Sequence, residues 1–108
     1  VMRPCALLLL FPVVCQAEAS PSEPVQEGTL ANQQLIRDAM VGVASWVATK
    51  GCDAPERFVP VVLQLPEGEP GSRHWQERWT VTGCGNDYPV VIDFRETGMQ
   101  SAMWTIAR

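Results

Sequence analysis

A chain of 108 residues with twelve acidic and eight basic side chains has room for one domain and one modest core. Its net charge is −4 and its basic residues are nowhere clustered. Nucleic acids and anionic membranes are held mainly by Lys and Arg, so both are disfavoured as partners.

The first seventeen residues, VMRPCALLLLFPVVCQA, have the layout of an export signal. Arg3 precedes an apolar run from Cys5 to Val14, and small-residue cleavage patterns end at Ala17 and Ala19. The run is about half the ~20 residues that a membrane-spanning helix needs, so no membrane span is expected. Cys15 raises a lipid-anchored alternative, but Val14 stands where such signals usually carry a small residue. The expected location is therefore the periplasm or the exterior. Cleavage removes Cys5 and Cys15, which leaves Cys52 and Cys84 to form one intramolecular disulfide.

Residues 18–28 (EASPSEPVQEG) hold too little apolar surface to order themselves and read as a flexible leader. A single domain is expected over residues 29–108. From Thr29 to Lys50, Leu35, Ile36, Ala39, Met40, Val43, Ala44 and Val47 recur at helical spacing and form one apolar stripe. Thr29 or Asn32 can cap the start, and Gly51 suits the left-handed stop.

Beyond Pro55 the period drops to two. Phe58 to Leu65 reads as a strand that Pro60 confines to an edge. The segment from Pro66 to Ser72 reads as a mobile acidic turn. Trp75 to Thr82 alternates, with Trp75, Trp79 and Val81 facing inward; Glu77 breaks that face, which suggests that the strand leaves the core there. Gly83 is expected to form a bulge that turns Cys84 toward the helix. Val90 to Arg95 and Ala102 to Ile106 complete the set, joined by a hairpin loop from Glu96 to Gln100. The expected fold is α+β: one amphipathic helix packed on a four-stranded antiparallel meander.

Chemistry is sparse. His74 is the one histidine, with Glu77 three residues on, and no ligand set surrounds it in the sequence. Neither a metal nor a cofactor is expected. Ser72 lies near His74 but lacks a nucleophile-elbow context, and Cys84 lacks both a C-x-x-C partner and neighbouring cations. The one imaginable catalytic set joins His74, Glu77 and Asp87 through folding. Trp75, between His74 and Arg78, is the candidate exposed anchor for a partner, its commoner alternative being a lid on the core beneath the Pro66–Ser72 loop.

The run Trp75-x-Glu77-x-Trp79-x-Val81-x-x-Cys84-Gly85, followed by Val90-x-Ile92-x-Phe94, resembles small exported proteins of Gram-negative bacteria, mostly uncharacterised. These have a helix ahead of a Trp- and Cys-Gly-bearing β-region. The likeness covers the last two-thirds of the exported chain and departs at Gly98-Met99-Gln100, where a more Gly-rich hairpin is usual. It implies an exported α+β domain without known catalysis and transfers no site residue. The leading expectation is a monomeric, non-enzymatic module that binds a protein partner in the envelope through Trp75, His74, Arg78, Glu67 and Glu69. One version is an inhibitor whose acidic loop enters an enzyme's cleft. The alternative is an accessory subunit docking by the strand from Phe58 to Leu65.

Overall fold

Asn32 fixes where the helix begins: its Oδ1 accepts the N–H of Leu35 at 2.8 Å, and α1 runs Gln33–Ala48. The computed structural model describes residues 23–107. Leu35, Ala39, Val43 and Val47 are buried along the stripe, and Gly51, with φ +106°, ends the helix before Cys52. The signal, the cleavage sites and Cys15 lie outside the described residues.

Among the described residues the sheet has five antiparallel strands in sequential order, not four. They are β1 (Gln26–Glu27), β2 (Pro55–Glu67), β3 (His74–Gly83), β4 (Asn86–Glu96) and β5 (Ala102–Ile106). The additional strand comes from the expected leader. Gln26 and Glu27 are exposed and polar, and they pair with Val62 and Val61 because β2 offers them a free edge. No periodicity marks such a strand.

The core lies between α1 and one face of the sheet. β3 alternates without a break, and every odd-numbered residue from Trp75 to Gly83 is buried. Opposite them stand Phe94, Ile92 and Val90 of β4 and Val62, Pro60 and Phe58 of β2. Phe94 stacks on Trp75, their ring centroids 5.1 Å apart.

At the far side Gly42 brings the helix down onto β5. A Cβ on Gly42 would overlap the ring of Trp104, so only glycine allows this approach.

β3 turns into β4 through Cys84-Gly85 alone. Both have positive φ, 55° and 76°, as a two-residue hairpin of the type I′ kind requires. The bulge expected at Gly83 is absent there. Gly83 pairs regularly with Asn86, and the irregularity lies across from it in β2, between Pro55 and Arg57. Gly83 serves close approach instead: a Cβ would stand 2.7 Å from the Ala54 carbonyl oxygen. Cys52 and Cys84 are bonded, their Cα atoms 5.8 Å apart, so the disulfide joins the end of the helix to this hairpin.

Candidate functional site

Glu77 stays in the core instead of marking where β3 leaves it, and its side chain is fully buried. In a strand, residues two apart share a face, so Trp75, Glu77 and Trp79 line up inward. Each indole then donates to one carboxyl oxygen: Trp75 Nε1 to Oε2 and Trp79 Nε1 to Oε1, both at 2.8 Å. The N–H of Leu30 donates to Oε2 at 2.9 Å. A buried polar group is tolerated when it is hydrogen-bonded, and here three donors surround one acid. The Trp-x-Glu-x-Trp spacing is the sequence signal for this arrangement, since it flanks the acid with two N–H groups on its own face.

Trp75 is therefore drawn inward by both its neighbours. It is 7% exposed, stacked on Phe94 and tied to Glu77, and is not an exposed anchor.

The expected catalytic set does not form. His74 lies on the opposite face of β3 from Glu77, and Asp87 pairs with Thr82 at the far end of the strand. Eight residues of extended chain separate Thr82 from His74, roughly 26 Å. Among the described residues, no three His, Cys, Asp or Glu side chains gather as a metal set.

His74 and Arg78 instead share the face of the sheet that α1 leaves bare. In cross-strand rows this face reads Glu67, His74, Arg95, Met103; then Gln64, Gln76, Asp93, Thr105; then Glu27, Val61, Arg78, Val91. A depression of about 320 Å³ lies among His74, Asp93, Arg95, Met103 and Thr105. Gln76 Nε2 donates to Asp93 Oδ1 at 2.9 Å beside it. Glu67 pairs with His74 at one end of the bare face, Arg78 lies four residues further along β3, and Glu69 is exposed in the loop after β2.

No family model, curated protein or solved structure matches the chain.

Hydrogen bonds tie the end of the acidic loop to β4. Glu96 Oε1 accepts the backbone N–H groups of Gly71 at 2.9 Å and Arg73 at 3.0 Å. The Arg73 guanidinium donates to both Glu96 oxygens, at 3.1 and 2.9 Å. These bonds, led by the one from the Arg73 side chain, lower the Glu96 pKa to about 2, and the same pairing raises that of Arg73. Gly98 N–H donates to the Gly71 carbonyl at 2.9 Å, which ties the β2–β3 loop to the β4–β5 loop.

A second recess, apolar and about 250 Å³, opens where α1 parts from β2, among Ile36, Met40, Phe58, Pro60 and Trp79. Its polar lining is Thr29, Glu56 and Arg57.

Proposed function

We propose that this chain is a small exported, non-enzymatic binding module that engages a protein partner in the bacterial envelope through the bare face of its sheet. The observation that carries the reading is that α1 covers one face only, while the other carries His74 opposite Glu67 at one end and Arg78 in its middle. Apolar Val59 and Met103 are exposed on the same face, which gives a partner apolar surface to cover beside the polar groups. The disulfide suits an oxidising compartment, and no described helix is long and apolar enough to cross a membrane.

The inhibitor version places Glu67 and Glu69 in a partner's cleft; the held conformation of the adjoining loop favours it, since a preordered loop loses less entropy on binding. Docking by β2 has less support, because β1 already occupies its edge at Val61 and Val62.

Site-specific photo-crosslinking in envelope preparations tests the proposal. A crosslinker at Gln76, on the bare face, is expected to give a discrete protein adduct that Arg78→Glu diminishes. The same group at Val41, exposed on the outer side of α1, is expected to give none. Equal labelling from both positions, or none from Gln76, counts against the bare face.

A further inference from the structure

The two edges of the sheet are built differently. At one, β2 carries Pro60, three irregularities in its register and β1 laid across its middle, all devices that obstruct the addition of a strand. At the other, β5 runs in unbroken register from Ile92 opposite Ile106 to Glu96 opposite Ala102. It contains no proline, no charge and no bulge. The Ala107 N–H donates to the Val91 carbonyl at 2.8 Å, so the odd-numbered peptide groups of β5 face β4. The N–H and C=O groups of Ala102, Trp104 and Ile106 then point outward, and among the described residues no strand pairs with them.

We propose that β5 is a homodimer interface, in which it pairs antiparallel with β5 of a second copy about a two-fold axis at Trp104. The strand is self-complementary in that register. Trp104 faces Trp104, Ala102 faces Ile106, and Met103 faces Thr105. The outward peptide groups meet as hydrogen-bonded pairs, and one sheet runs through both copies. Charge permits a second copy: β5 carries no charged residue, and the pairs that meet across the axis on the bare face are Met103 with Thr105, so no like charges face each other. On the core face the pairing covers Trp104 and Ile106, which are only partly buried at the open edge. This goes beyond the monomer expected from the sequence and does not depend on the partner-binding face.

Sedimentation velocity of the full, disulfide-bonded chain across a dilution series tests the interface. A concentration-dependent dimer is expected. The double variant Met103→Lys with Thr105→Lys sets Lys against Lys in both symmetric pairs and should weaken the dimer roughly tenfold. Met103→Glu with Thr105→Lys sets Glu against Lys and should restore it. Both positions are exposed in the single chain, so the folded monomer should survive, with unchanged thermal melting of dilute samples as the check. A monomer at every concentration overturns the proposal, as does a dimer that the two double variants weaken equally or leave unaltered.

Discussion

Glu77 and Leu30 stand 47 residues apart in sequence, yet the Leu30 N–H donates to Glu77 Oε2 at 2.9 Å. That bond ties the segment before α1 to the middle strand, and the two indole donors complete the acid's coordination. Replacing Glu77 by Ala leaves three buried or partly buried N–H groups without acceptors and opens a cavity. The expected loss is about 3 kcal/mol or more in urea unfolding of the disulfide-bonded protein. Glu77→Leu fills the space but supplies no acceptor, so it should also destabilise, with a changed tryptophan emission. A Leu variant as stable as the parent would show that filling, not hydrogen bonding, is what the site needs.

Gly42 reverses the usual rule for a helix interior. Gly→Ala there normally stabilises by about 1 kcal/mol, because alanine loses less backbone entropy. Here the added methyl overlaps the Trp104 ring, so Gly42→Ala is expected to lower the melting temperature. In a Trp104→Ala background the ring is gone and the same change should raise it. A thermal-melting double-mutant cycle reads the sign change.

The apolar stripe of α1 and the alternation of β3 were legible because burial imposes a period that local sequence displays. What escaped depends on groups far apart in the chain. β1 is polar and exists because β2 has an edge; Gln26 and Glu27 carry no trace of that. Glu77 looks like an interruption until its donors are known. Two of them, Trp75 and Trp79, are visible at two residues' distance, but Leu30 is not. β4 begins before its apolar run because the Cys84-Gly85 turn sets Asn86, Asp87, Tyr88 and Pro89 opposite Gly83, Thr82, Val81 and Thr80 of β3.

Glu96 makes the loop end of the sheet sensitive to acid. Its folded pKa, about 2, lies below the ordinary carboxylate value, so it binds its proton more readily when unfolded. The stability it contributes is complete above the unfolded value of about 4.3 and is lost as pH falls through about 2. The amides of Gly71 and Arg73, which donate to Glu96, should shift in NMR spectra over the same window. Glu96→Gln should abolish that titration and speed hydrogen exchange at both amides. An unchanged acid profile in the Gln variant would place the titrating group elsewhere.

The disulfide offers a test in which the backbone and the crosslink separate. Closing a loop with a sequence separation of 32 contributes about 3–4 kcal/mol by restricting the unfolded chain. Cys84 also sits at φ 55°, where a side chain is disfavoured, while Cys52 is fully buried beside the helix end. The double variant Cys52→Ala with Cys84→Ala therefore removes the crosslink and keeps the strained turn. Cys52→Ala with Cys84→Gly removes the same crosslink but relieves the turn, because glycine adopts positive φ freely. Both variants should be less stable than the bonded parent in urea, and the glycine form should be the more stable of the two by about 1 kcal/mol. Equal stability of the two would mean that the Cys84-Gly85 turn relaxes out of its positive-φ geometry once the bond to Cys52 is gone.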